Sequence, residues 1–317
     1  MKAIPLLLSV AAVLAAGHGI AAAEDSLKVA VSQRGAWDTA ITEIGNRAGI
    51  FKKHDIAVEL LFTGGGAEAL GAIISGSIDT AVAVGTSTVL GSFSKGAPLR
   101  IFSAETTGQP DIYWFVPARS PIRGVADFKD KTIGYSVAGS SSHAALLALL
   151  AQEKIAARPT STGGVTPSFT SGMTGQVDVA WTTIPIGLKE VDEGTIRRVA
   201  SAADVVSLRE RTVRVNITNA VTMEKRGAAL ARFMAAYRET IDFMYSAPEA
   251  LTIFAEIAGV PPEVARKVPG LFPKSALAPD RIVGLDAIMA EAVATKFMSA
   301  PLRKEQIAEL VRTPEPP

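Results

Sequence analysis

Gly139-Ser140-Ser141-Ser142-His143 is the group of side chains in this chain best arranged for chemistry. It sits within Lys131–Leu150, KTIGYSVAGSSSHAALLALL, which reads as a short strand (Thr132–Tyr135), a small-residue turn (Val137–Ser142) and an apolar helix from about His143. Serines at a helix start accept hydrogen bonds from the first unpaired N–H groups. The same geometry points other N–H donors and the positive end of the helix dipole out of the turn, which suits an anion. A plain helix cap uses the same residues, so the turn alone leaves both readings open.

Catalytic patterns elsewhere are incomplete. Gly64-Gly65-Gly66-Ala67-Glu68-Ala69 matches the dinucleotide pattern G-x-G-x-x-A. It follows the second predicted strand, not the first, and is read as a tight strand-to-helix turn. Ser92-Phe93-Ser94-Lys95 is an S-x-x-K, but no S-D-N follows, and Lys131-Thr132 continues into Ile133 where a K-T-G needs glycine. The three histidines, His18, His54 and His143, are scattered, which argues against a histidine metal site. With no cysteine, disulfides, thiolate catalysis and cysteine-ligated metals are excluded. No catalytic residue, metal or cofactor is expected. A net charge of +1 without any basic run argues against a nucleic-acid partner.

The elements that must position the serine turn follow a regular pattern. Strands are predicted at Leu27–Ser32, Ala57–Phe62, Ile78–Val84 and Leu99–Ala104, with helices after the first three. The first of these helices runs from Asp38, a candidate cap, to Ala48. Strand alternating with helix at this spacing predicts a parallel sheet covered on both faces. A repeat then appears. Thr63-Gly64-Gly65, a helix and Gly76-Ser77-Ile78-Asp79-Thr80-Ala81 match, without a gap, Thr162-Gly163-Gly164, a helix and Gly175-Gln176-Val177-Asp178-Val179-Ala180. Two lobes on one plan are the simplest account. The turn at 139–143 and the loop Gln33–Asp38 then become counterparts, each after its lobe's first strand.

The β-rich stretches Asp111–Val116 and Thr212–Thr218 predict two crossings between the lobes, hence a hinge and a cleft. The expected architecture is α/β: lobe 1 from 24–108 plus 213–317, lobe 2 from 109–212. Extra C-terminal helices are expected at Ala228–Tyr245, Leu251–Ala258, Arg281–Phe297 and Lys304–Val311, packed on the first lobe. At the N-terminus, Lys2, an apolar run from Ile4 to Ala16 and Ala21-Ala22-Ala23 predict a signal peptide over 1–23, cleaved near Ala23. A run that short does not span a bilayer. Without a cysteine there is no lipid anchor, and an exported, unanchored monomer in a periplasm is expected.

The order of these elements resembles the type II periplasmic solute-binding proteins, and within them the sulfonate-, taurine- and nitrate-binding subunits of ABC importers, which share their fold with thiamine-pyrimidine-binding proteins. The resemblance rests on Gly49-Ile50-Phe51-Lys52-Lys53-His54, Ser75-Gly76-Ser77-Ile78-Asp79, Lys95-Gly96-Ala97-Pro98, Lys131-Thr132-Ile133-Gly134, Gly139–His143 and Gly175-Gln176-Val177-Asp178. It implies a small organic anion held in the cleft, an alkyl or aryl sulfonate first and nitrate or a carboxylate next. It also implies a permease partner in the inner membrane. The anion site would comprise Gly139, Ser140, Ser141, Ser142 and His143, faced by Gln33, Arg34 and Trp37 and by Gly85, Thr86 and Ser87, with Trp181 and Thr182 as a fourth wall. Trp37 and Trp181 are aromatic walls or core residues; Trp114, on a hinge strand, reads as core. Asp38 is the sole acidic residue in these loops, which favours a plain sulfonate over an amino-sulfonate. The alternatives are a neutral heteroaromatic such as a pyrimidine or, in another class, a periplasmic hydrolase or a sensor subunit.

Overall fold

Alternating strands and helices close into two sheets with one strand order. The computed structural model describes residues 25–314; the expected signal peptide lies outside them. In the first sheet β1 (Asp25–Val31) runs parallel to β2 (Ile56–Phe62) and to β3 (Thr80–Gly85). β10 (Thr212–Asn219) pairs antiparallel with β3 and with β4 (Leu99–Thr107), giving the order β2-β1-β3-β10-β4. Its inner strands β3 and β10 are buried throughout, as strands covered on both faces must be.

The second sheet repeats this plan. β5 (Ile112–Pro117) lies antiparallel between β8 (Ala180–Thr183) and β9 (Ile196–Ser201). β6 (Thr132–Tyr135) runs parallel to β7 (Arg158–Ser161). The Gly134 N–H donates to the Val179 carbonyl at 2.8 Å and the Val179 N–H to that of Thr132 at 3.1 Å, joining β6 to the head of β8. The order is therefore β7-β6-β8-β5-β9. In each lobe the antiparallel strand, β10 or β5, has just crossed from the other lobe. The crossings are tied together: Gly108 N–H donates to the Arg211 carbonyl at 2.9 Å, and the Thr107 and Thr212 hydroxyls lie 3.1 Å apart.

The repeated G-x-[I/V]-D has a physical role. Its glycines, Gly76 and Gly175, close α3 (Gly66–Ile74) and α6 (Val165–Thr174) with φ of 73° and 77°, which a β-carbon disfavours. Its aspartates clamp the lobe's first strand: Asp79 Oδ2 accepts the Lys28 N–H, and Asp178 Oδ2 that of Thr132, each at 2.8 Å.

The first lobe has a core on each face of its sheet. One gathers Trp37, Phe51, Phe233, Tyr237 and Phe254 under α1 (Ile41–Arg47), α2 (Ile50–Lys53), α8 (Ala220–Ser246) and α9 (Pro248–Ala258). The other holds Ile73, Leu90, Phe93, Ile101 and Ile288, beneath α3, α4 (Thr86–Ser94) and the C-terminal α12 (Leu285–Ala294). Trp114, Phe128, Leu146 and Trp181 centre the second lobe's core. Two sequence expectations shift. The helix expected from Ala228 is preceded by a short helical stretch from Ala220, whose N-cap Asn219 Oδ1 accepts the Thr222 N–H at 2.8 Å; non-helical backbone at Arg226 (φ −129°) kinks α8 between the two. α1 starts at Ile41 without a side-chain cap, because Asp38 is drawn instead to Arg214 on β10 of the same lobe.

Candidate functional site

Between the lobes lies a cavity of about 650 Å³, its open mouth included. Four helix N-termini converge on it. Gly65, Gly66 and Ala67 belong to the start of α3, and Gly85 and Thr88 to that of α4. Ser140–Ser142 belong to the start of α5 (Ser141–Glu153), and Val165 opens α6. Each N-terminus carries roughly half a positive charge on its unpaired N–H groups, so this wall favours negative charge.

The α5 turn is built by its own serines. Ser140 is the N-cap, its Oγ accepting the His143 N–H at 3.3 Å. Ser142 Oγ accepts the Ser136 N–H at 2.9 Å and lies 3.0 Å from Ser140 Oγ. Gly139 has φ 83°, and a β-carbon there would come within 2.9 Å of the Phe297 ring. These bonds shape the turn and leave the Ser141 and Ser142 N–H groups without a protein acceptor. The lobes touch here: Thr88 Oγ1 donates to the Gly139 carbonyl at 2.7 Å.

The floor is charged. Arg214, on β10, is buried and lines the cavity. Its Nη1 donates to Asp38 Oδ2 at 2.6 Å, its Nη2 to Asp111 Oδ2 at 2.8 Å and its Nε to Ser141 Oγ at 3.3 Å. Thr183 Oγ1 also donates to Asp111 Oδ2, at 2.7 Å. Burial opposes the Arg214 charge, but Asp111 and Asp38 outweigh it and raise its pKa. Burial raises that of Asp38, against the lowering pull of Arg214. Glu105 stands behind this group with its pKa pushed well above the carboxylate range, by burial first and the Asp38 charge second; its neutral form is favoured.

Of the residues proposed from sequence, Gln33, Gly85, Ser140, Ser141, Ser142 and Trp181 line this cavity. The Trp181 indole N–H donates to Thr162 Oγ1 at 3.1 Å. The others stand elsewhere. Arg34 pairs with Glu43 at 2.8 Å and lies over the Phe62 ring. Trp37 is fully buried in the core against Tyr245 and Phe254, its N–H on the Tyr245 hydroxyl at 2.8 Å. Thr86 donates to the Thr212 carbonyl at 2.6 Å, and with Ser87 faces a smaller crevice toward α12. Thr182 is buried and donates to the Ile186 carbonyl. His143 Nδ1 accepts the Gly139 N–H at 3.3 Å, and its ring packs between Tyr135 and Phe297; burial lowers its pKa and favours the neutral ring. Arg214, Asp111, Thr183, Ser136 and Val137 were not anticipated as lining residues.

This topology, with two mixed sheets of one order and a cavity between them, is the type II periplasmic binding protein fold, with added C-terminal helices. The family model described as NMT1/THI5 like matches residues 39–251, and the chain belongs to that family. Among solved structures it is similar to the alkanesulfonate-binding protein SsuA of Xanthomonas axonopodis pv. citri, bound to MOPS: 19% identity, TM-score 0.76, covering 92% of this chain and 100% of that one. It is also similar to the periplasmic aliphatic sulphonate-binding protein SsuA of Escherichia coli, at 20% identity and TM-score 0.72, covering 92% and 94%. A third is the ligand-binding component of an ABC-type import system from Staphylococcus aureus with zinc bound, at 13% identity and TM-score 0.72, covering 91% and 97%. No curated protein sequence matches the chain. Among the described residues no helix is long and apolar enough to cross a membrane.

Proposed function

We propose that this chain is the periplasmic solute-binding component of an ABC importer and that it captures a small organic anion between its lobes. Alkyl and aryl sulfonates come first, then nitrate or a carboxylate. The permease is the partner, and the chain itself performs no catalytic step. The bodies that close on the ligand are 24–108 with 213–317, and 109–212. The observation that carries this reading is the convergence of four helix N-termini on one inter-lobe cavity, with free N–H groups at Ser141 and Ser142. The family and the sulfonate-binding structural neighbours support it.

Magnitudes favour a site shared by both lobes. Charge-assisted bonds contribute about 1.5–3 kcal/mol each. Association costs about 4 kcal/mol or more, and micromolar capture needs about −8 kcal/mol net. The two free N–H groups of α5 fall short, so α3 and α4 of the other lobe must contribute. A thermal-shift panel of sulfonates, nitrate, aromatic carboxylates and pyrimidines tests this: a ligand at 100 times its Kd stabilises by about 2.7 kcal/mol. Ser141→Ala keeps the backbone N–H but removes a hydroxyl that accepts from Arg214 Nε and whose own proton is free to donate to the anion; it is expected to weaken sulfonate binding about tenfold, one charge-assisted bond, with little change in Tm. Stabilisation by neutral pyrimidines alone contradicts the reading. So does a Ser141→Ala protein that loses stability but keeps its affinity.

A further inference from the structure

We infer that Gly164 is a positioning residue for the cleft: meeting the Gly64 carbonyl of the other lobe without a side chain, it sets how closely the two lobes approach around a ligand. The inference rests on a ligand held by both lobes and names the contact that fixes their spacing. Its basis is a glycine with no local reason to be one. In the repeated pair Gly163-Gly164, Gly163 has φ 76°, which a β-carbon disfavours. Gly164 has φ −65° and ψ −179°, open to any residue. It is also the N-cap of α6, a position that favours Ser, Thr, Asp or Asn. What crowds a side chain there is the other lobe. A β-carbon on Gly164 would lie 3.2 Å from the Gly64 carbonyl oxygen, inside the about 3.5–4.0 Å at which non-bonded atoms pack best. Gly65, its counterpart in the repeat and the N-cap of α3, differs: a β-carbon there would meet nothing within 4 Å.

The contact lies beside the cavity. Gly65 and Gly66 follow Gly64, Val165 follows Gly164, and all three line the inter-lobe space. The second meeting point is also backbone. Gly139 offers its carbonyl to Thr88, and a β-carbon on Gly85 would lie 3.4 Å from the Ser141 nitrogen. The lobes therefore meet at the same turns whose N–H groups face the cavity. N–H donors hold an acceptor over only about 2.7–3.2 Å. An anion shared between α5 and α6 of one lobe and α3 and α4 of the other thus tolerates about half an ångström in lobe spacing. A side chain at position 164 pushes against that margin, while one at position 65 leaves it untouched.

The test compares Gly164→Ala and Gly164→Val with the repeat control Gly65→Ala. Calorimetric titration uses propanesulfonate and benzenesulfonate as probes. Gly164→Val is expected to weaken each probe that binds about tenfold or more, the effect of overpacking one contact. Gly164→Ala should weaken it less, and Gly65→Ala should keep the wild-type affinity, with the ligand-free Tm of the two alanine variants alike. Lobe spacing is read separately, without ligand. The chain has no cysteine, so Ile74→Cys with Met173→Cys, at exposed positions on α3 and α6, places one spin label on each lobe. Adding Gly164→Val should lengthen the distance between the labels, and adding Gly65→Ala should not. An unchanged distance with Gly164→Val overturns the inference. So does an unchanged affinity for a bound probe, or an equal loss in Gly65→Ala and Gly164→Ala. A lengthened distance with neither sulfonate bound keeps the spacing role and overturns the anion reading. If Gly164→Val fails to fold, Gly164→Ala against Gly65→Ala decides by both measurements.

Discussion

Arg214 is the side chain on which most of the site depends, since it ties β10 to Asp38 of the first lobe and to Asp111 at the first crossing. Arg214→Met should cost about 3–5 kcal/mol in urea unfolding, because removing one partner strands buried charges; a loss under about 1 kcal/mol would place the ion pairs among weak surface ones. Glu105 gives a pH signature. Burial raises its folded pKa above the unfolded value, so its contribution is full below the unfolded pKa and is lost as pH rises toward the folded one. Glu105→Gln, always neutral, should therefore melt near the wild type at about pH 4 and above it by a margin that grows from about pH 5 to 8. A constant margin across that range would show that Glu105 does not titrate abnormally. These residues were hard to read from sequence. Asp38, Asp111 and Arg214 share no spacing, and only contact in the fold unites them. One signal was present: an arginine inside the buried-strand pattern Thr212–Thr218 demands a buried acidic partner, and Asp111 opens the other β-rich stretch. Trp37 misleads in the opposite direction. Its loop position suggested a pocket wall, but α8 and α9, far along the chain, cover it.

At the scale of elements, strand and helix order and the repeat were legible, because period and glycine punctuation are local. The repeat also proves mechanical. Gly76 and Gly175 close corresponding helices, and Asp79 and Asp178 hold corresponding strands. The Asp178 carboxylate is opposed by burial, but its bonds to Thr132 and the charges of Lys131 and Arg158 hold its pKa below the usual range. Asp79→Ala and Asp178→Ala should therefore each lose about 1–3 kcal/mol, the cost of leaving a strand N–H unpaired, as read from denaturant midpoints. A loss at one position alone would mean that the repeat is a likeness of sequence without a shared role. What remained illegible was the convergence of helix starts. The sequence presents α3, α4, α5 and α6 as separate strand-to-helix turns, and only the shared strand order points all four at one cavity.

For the whole molecule, two lobes on one plan place a positive wall of helix ends opposite an ionised floor. Phe297, from the C-terminal segment packed on the first lobe, meets His143 and Gly139 of the serine turn, so the added helices contact the second lobe's jaw directly. The central claim is that an anion rests on the start of α5. Amide NMR of the isotopically labelled chain during titration with an alkanesulfonate tests it most directly. The account predicts saturable shifts that are largest at the Ser141 and Ser142 N–H groups, the two donors without a protein acceptor. Calorimetric binding with those two resonances unmoved would contradict it.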